Sequence, residues 1–437
     1  MAHPRLPRGL AVLACLTLAA AGGARPALAQ QQEQAGGASE VFRRFAGQVA
    51  KVEISETSSG AKSSLGSGFY AGADGLLVTN YHVVSSLVTD PGRYRVDVID
   101  ETGGTSAARI VAIDVVHDLA VLSTSSRPAT WFSLGAPGLP QGTRLFALGH
   151  PSDLGLTIVE GTYNGLLKHS LYDRIHFTGS INSGMSGGPT ITPRGEVVGV
   201  NVSTAGNQLS FLVPVARVTA LLERARAPRP SGPAPALLPQ VGRQILAHQQ
   251  SYLAGMLERS PTVALGRYVL PTRPAPFFKC WADVTTDDED PYTIVDHQCS
   301  TDDRIFIAGT QSSGVMSLRH RLVTTTELNR IRFASLLQFV FEPGDEAMGG
   351  DERFVTSFRC ATRNVASAAG GGAGRVRAAV CLRRYRKLDG LYDAVVKTVT
   401  LGGAGSGVVS TLSLSGVSFE TAQALAGRFV GSVRWKP

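Results

Sequence analysis

Beyond residue 29 the chain of 437 residues has no apolar run long enough to cross a bilayer, and it contains no internal repeat. No segment beyond the first is therefore expected to cross a membrane as a helix. Long uninterrupted helical patterns are also few, while glycine is frequent at 49 residues, which favours a turn-rich, mostly β protein over a helical bundle. Charge is sparse, at 17% of residues, and the net +8 includes Arg5, Arg8 and Arg25 of the first segment. A basic excess this thin, spread over a long chain, describes a solvated surface and excludes nucleic acid as the expected partner. Cysteine is missing from the whole stretch between Cys15 and Cys280.

What is present divides the chain. Residues 1–29 begin with Arg5 and Arg8, continue through an apolar stretch from Gly9 to Ala21, and end in Ala27-Leu28-Ala29. That is the pattern of a secretory signal peptide, so the protein is expected to be exported, periplasmic or secreted. Residues 30–40 are small and polar and read as a flexible start to the mature chain. From 41 to 225 come short β-branched stretches broken by glycine and polar turns, such as VAKVEIS, LAVLST and EVVGVNVS, the spacing of a β-barrel or sandwich. The stretch closes on a helical pattern in which Val215, Val218, Leu221 and Leu222 share a face.

Residues 226–240 carry Pro228, Pro230, Pro233, Pro235 and Pro239 and read as a semi-rigid spacer, because proline cannot donate to a helix or a sheet ladder. Residues 241–437 form a second expected domain: an opening helix over about 241–258, alternating strands, and a last helix capped by Ser418. Two hairpins each carry one cysteine per arm. Their economical pairing is Cys280–Cys299 and Cys360–Cys381, although four cysteines allow three pairings. Export permits their oxidation.

Three strings carry chemistry: TNYHVV with His82, HDLAVL with Asp118, and NSGMSGGP with Ser186. A serine hydroxyl is a weak nucleophile until an imidazole takes its proton, and the imidazole needs an acid to fix its tautomer. Glycine beside the serine lets the N–H groups of Gly184 and Ser186 converge on a developing oxyanion, and Gly187 and Gly188 keep the hydroxyl free of side chains. Singly each string is weak; in this order and context they reinforce one another. Asp114 and His117 are the obvious competitors of Asp118, and Ser180 and Ser183 of Ser186.

With GSGF at Gly66–Phe69, DGLLVTNYHVV, HDLAVL, ALGHPSDLGLTIVEGTYNG and NSGMSGGP in order, residues 41–225 resemble the trypsin-like serine peptidases. The likeness is greatest to the catalytic domain of the bacterial HtrA (DegP-like) branch, without its PDZ domain. The resemblance implies a chymotrypsin-like double β-barrel; with the β-rich (α+β), disulfide-containing domain read from the patterning of 241–437, the whole is expected to be mostly β. It implies His82 as general base, Asp118 as its orienting acid, Ser186 as nucleophile, and Gly184 and Ser186 as oxyanion donors. It places substrate-binding positions at Ser180, Val200, Ser203, Ser210 and Phe211. The absence of an acid at Ser180 argues against a demand for lysine or arginine and for a small or medium apolar residue before the scissile bond.

Such an enzyme cleaves protein or peptide substrates and needs neither metal nor organic cofactor. Met185 departs from the Asn or Asp usual in the family and is expected to reshape the oxyanion turn. The rival readings are a catalytically silent peptidase-fold binding protein and an esterase using the same triad. The acidic runs at 285–292 and 344–353 read as solvated turns rather than calcium sites. The arginine-rich run 381–388 reads as the wet face of a strand and offers the best guess at a cell-envelope partner. His150 reads as a turn residue, and the Asn201 sequon as an unmodified strand position. The sequence carries no signal for an oligomeric state.

Overall fold

The computed structural model describes residues 37–436 apart from 207, 229–235, 254–255, 257–259, 286–288, 302, 343–347 and 367–373. The expected signal peptide, the centre of the Pro-rich segment and the tips of both cysteine hairpins fall outside the described residues.

The protein opens with helix α1 (Ala38–Phe45), which starts within the segment expected to be flexible because Val41 and Phe45 anchor it in a core. Six strands follow, β1 (Val49–Glu56), β2 (Lys62–Tyr70), β3 (Leu76–Thr79), β4 (Tyr94–Ile99), β5 (Thr105–Asp114) and β6 (Leu119–Thr124), with α2 (Tyr81–Thr89) between β3 and β4. They close into a barrel in the order β1-β2-β3-β6-β5-β4. The short β7 (Ser133–Leu134) leads to a second set: β8 (Arg144–Gly149), β9 (Thr157–Leu166), β10 (Ile175–Phe177), β11 (Pro189–Ile191), β12 (Glu196–Thr204) and β13 (Ser210–Pro214). The pairing of β11 with β12 closes these six into a second barrel, to which β7 adds on the outside of β12. Helix α3 (Val215–Arg226) lays Val215, Val218, Leu221 and Leu222 into a cluster shared with residues of both barrels.

Helix α4 (Leu237–Leu253) begins inside the Pro-rich segment, earlier than its periodicity implies. The C-terminal half is built on a seven-stranded antiparallel sheet ordered β16-β17-β20-β24-β23-β22-β21. These are β16 (Lys279–Thr285), β17 (Thr293–Ser300), β20 (Met316–Thr324), β21 (Arg359–Ala366), β22 (Arg375–Arg384), β23 (Tyr392–Thr400) and β24 (Ser406–Val417). The alternation of a strand sorts their side chains: Ala394, Val396, Leu412 and Leu414 face α6 (Phe419–Val430), while Val399 and Val409 face α5 (Arg330–Phe341). Helix α5 was not expected. Ser418 caps α6 as its sequence implies, accepting from Thr421 N–H at 3.1 Å.

The two disulfides, Cys280–Cys299 and Cys360–Cys381, lie across β16–β17 and β21–β22. Each ties an edge strand to its inner neighbour. The edge strand β21 is exposed along its whole length, so little but the ladder and the crosslink holds it. A small hairpin, β18 (Ile305–Ala308) with β19 (Gln311–Ser313), leaves this sheet and packs on α2. A three-stranded sheet of β14 (Thr262–Leu265), β15 (Tyr268–Pro271) and β25 (Arg434–Trp435) completes the fold.

The run 381–388 is a wet face only in part: Arg384, Arg386 and Lys387 are exposed, but its other positions turn inward. Arg383, Tyr385 and Leu388 are buried, and Arg383 Nε donates to Asp393 at 2.8 Å. A guanidinium paired in the interior is unavailable to an anionic surface. Among the described residues no helix is long and apolar enough to cross a membrane.

Candidate active site

His82 stands on the first turn of α2, and Asn80, immediately before the helix, is extended. Asn80 does not cap the helix; its Nδ2 donates 2.7 Å to the carbonyl of Asp118, tying the turn before β6 to α2. Asp118 holds a left-handed backbone at φ 60°, a costly state for an aspartate that is kept by its surroundings. Its carboxylate takes His82 twice: Oδ2 lies 2.6 Å from the ring Nδ1, and Oδ1 accepts the His82 backbone N–H at 2.8 Å. Burial alone pushes the imidazole pKa down, but the charge and hydrogen bond of Asp118 outweigh it and raise His82 above its ordinary value. The competitor Asp114 is engaged elsewhere, with His117 Nδ1 at 3.0 Å and Arg224 at 3.3 Å.

The first barrel thus carries the His82–Asp118 pair, and the loop between β10 and β11 carries Ser186. No hydrogen bond joins the Ser186 hydroxyl to His82 among the described residues. Ser67 on β2 brings the two barrels together. Its backbone N–H donates to Ser186 O at 2.8 Å, and its hydroxyl donates to Gly184 O at 2.8 Å while accepting from His150 N–H at 2.9 Å. The GSGF motif contains this residue, but nothing in the motif reveals that its hydroxyl bridges residues more than eighty positions away.

The turn around Ser186 leaves two backbone N–H groups undirected. Ser183 O accepts from Ser152 N–H at 2.9 Å, and because the peptide is planar and trans the Gly184 N–H points the opposite way. Neither the Gly184 nor the Ser186 N–H donates to a protein acceptor among the described residues. Gly184 sits at φ 93°, where a Cβ would collide with the His150 carbonyl. Gly187 is required for a reason other than the one expected: at φ 87° it lies flat against the Ser67 carbonyl rather than clearing the hydroxyl. Met185 is fully buried among Leu145, Ala147, Ile181 and Leu212 in the second barrel, so its side chain anchors the turn from beneath. His150, on the neighbouring loop, is also buried, which pushes its pKa down to about 4.

A cavity of about 750 Å³ opens beside His82 and Asp118. Of the expected substrate-binding residues, Ser203 and Phe211 line it. Val200 is buried in the barrel core, Ser210 is buried with its Oγ accepting from Ile181 N–H at 3.1 Å, and Ser180 is exposed outside the cavity. Asn201 is buried and hydrogen-bonded to Thr190, Leu148 and Met185. The far wall comes from the C-terminal half and was not foreseen: Phe277, Lys279, Asp303, Arg304 and Phe306. Phe306 meets the His82 ring edge-on at 5.9 Å, and Tyr81, next to His82, donates to Ile307 O at 3.0 Å. Among the described residues no group of three or more His, Cys, Asp or Glu is placed to hold a metal ion.

Residues 66–200 match the family of trypsin-like peptidase domains. The mitochondrial serine protease HTRA2 of Bos taurus is 35% identical over 171 residues, 37% of this chain and 36% of that protein. The chloroplastic Protease Do-like 5 of Arabidopsis thaliana is 32% identical over 38% of this chain and 61% of that protein. A probable periplasmic serine endoprotease DegP-like of Chlamydia pneumoniae is 32% identical over 40% of this chain and 36% of that protein. The crystal structure of Deg5 aligns with 44% of this chain at 30% identity and a TM-score of 0.38. The chain therefore spans between about a third and three fifths of the length of these curated relatives, 36% to 61%. What the chain is similar to is therefore a trypsin-like peptidase domain over residues 66–200, with HtrA and DegP-like serine proteases among its relatives.

Proposed function

We propose that this protein is an exported serine endopeptidase in which Ser186 attacks the peptide carbonyl, His82 takes and returns the proton, and Asp118 holds His82 in the required tautomer. The peptide N–H groups of Gly184 and Ser186 receive the oxyanion. An acyl-enzyme on Ser186 forms as the amine leaves, and water activated by His82 releases the acid. The observation that carries this reading is the double hold of Asp118 on His82, at 2.6 and 2.8 Å, beside a serine turn with two undirected N–H donors. Catalytic hydrogen bonds are often loose before substrate binds, so the missing Ser186–His82 bond is compatible with it. Export rests on the composition of residues 1–29 and is supported by a relative named as periplasmic. The division into a peptidase domain at 41–225, a linker at 226–240 and a C-terminal domain at 241–437 belongs to the same proposal.

That missing bond, with Phe306 packed on His82, is also what a silent binding protein would show. A fluorophosphonate probe separates the two readings. Covalent labelling of the wild type, abolished in Ser186→Ala, is expected, with casein cleavage lost in the same variant. A folded wild type that neither labels nor cleaves casein would instead be the silent module.

A further inference from the structure

The cavity beside His82 contains an electrostatic imbalance that the peptidase chemistry does not use. Its lining includes the cations Lys168, Arg174, Lys279 and Arg304 and the acids Asp118 and Asp303. Both acids are committed. Asp118 holds His82, and Asp303 accepts from the Ser170 hydroxyl at 2.9 Å and from Leu171 N–H at 2.6 Å. Arg174 is not: its Nη1 is buried without a hydrogen-bond partner among the described residues. The guanidinium lies over the Tyr172 ring at 5.8 Å, and the Tyr172 hydroxyl is likewise buried and unpaired. Burying a guanidinium atom without an acceptor is unfavourable by an amount that natural interiors avoid unless something arrives to satisfy it. Burial depresses the pKa of Arg174, in keeping with that debt.

We propose that the cleft between the second barrel and the C-terminal half is a substrate subsite for a carboxylate, which Arg174 receives. The proposal rests on the peptidase reading for its substrate class, since the cavity begins at His82 and a peptide laid there would carry the carboxylate on an acidic side chain or at its free C-terminus. An arginine fork fits that group, and a carboxylate bound there would satisfy the buried Nη1 with a charge-assisted bond. The loop that carries Arg174 is latched by Asp303, so the C-terminal half both walls the subsite and fixes its receptor.

The test uses full-length Ser186→Ala protein and short acetylated, amidated peptides in which Gln is replaced by Glu one position at a time. A companion peptide keeps Gln throughout and has a free C-terminal carboxylate. At one position, or for the free terminus, the carboxylate peptide binds about tenfold tighter or more than its neutral partner. The gain disappears when Arg174→Met is added, and which peptide shows it identifies the source. Equal binding of every pair, or a preference that survives Arg174→Met, overturns the proposal. Should Arg174→Met fail to fold, a photo-crosslinker at the preferred position answers on protein with Arg174 intact: capture of residues 167–174 supports the site, and capture elsewhere overturns it. Fluorophosphonate labelling of the wild type reports separately on the peptidase reading.

Discussion

Asp118 grips both the ring and the backbone of His82, so replacing it with asparagine disturbs the proton inventory more than the position of the ring. On the proposed mechanism Asp118→Asn lowers kcat by about 10⁴-fold, because an amide stabilises the wrong tautomer. The pH profile moves as well. His82 must be neutral to act as base, so the rising limb of kcat/KM lies above the ordinary imidazole range in the wild type. Without the carboxylate the burial of His82 prevails, and that limb shifts to lower pH. A profile that stays in place would show that Asp118 does not set the charge of His82. On the proposed mechanism, His82, Asp118 and Ser186 are legible in the sequence because their chemistry demands particular residue types inside short, recognisable strings. Ser67 and Phe306 are not, since their contacts are with partners far along the chain: Ser67 with Gly184, Phe306 with His82.

Among the elements, the turn at 182–188 shows how a family departure becomes a structural solution. A polar residue is usual where Met185 stands, yet here the side chain is a plug in the second barrel. Met185→Ala removes that plug and is expected to destabilise the protein by about 2–5 kcal/mol. It should also slow fluorophosphonate labelling below saturation, because the N–H groups of Gly184 and Ser186 are carried by the same turn. A variant that loses stability but labels at the wild-type rate would detach the anchor from the oxyanion geometry. The cysteine hairpins and the last helix were readable from alternation and from Ser418. Helix α5 was not, because apolar residues surround it: Phe333, Leu337 and Val340 are buried, while Ile331 and Phe339 are exposed at 80% and 75%. A stripe that wide carries neither the period of a helix nor that of a strand.

At the scale of the molecule, the Pro-rich segment reads as a spacer between separate cores, but the hydrophobic clusters cross it. Inside one cluster, Val52, Tyr81, Val84 and Val116 of the first barrel pack with Val241, Ile245, Ile307, Tyr385 and Leu391 of the C-terminal half. Proline content reports the stiffness of a segment and is silent about what its ends pack against, which is why this contact was invisible in the sequence. Each large side chain buried in that way contributes roughly 1.5–3 kcal/mol, so five of them couple the halves by an amount comparable with the stability of a whole domain. The expected consequence is one cooperative transition in calorimetry, with the barrels and the C-terminal sheet unfolding together. Cutting the chain between α3 and α4 should leave the fragments associated, and residues 37–226 alone should lose solubility as Tyr81 and its neighbours meet water. Two well-separated transitions, or a soluble and folded 37–226 fragment, would mean that the cluster is incidental. In that case the wall that Phe306 raises beside His82 could be removed without disturbing the barrels.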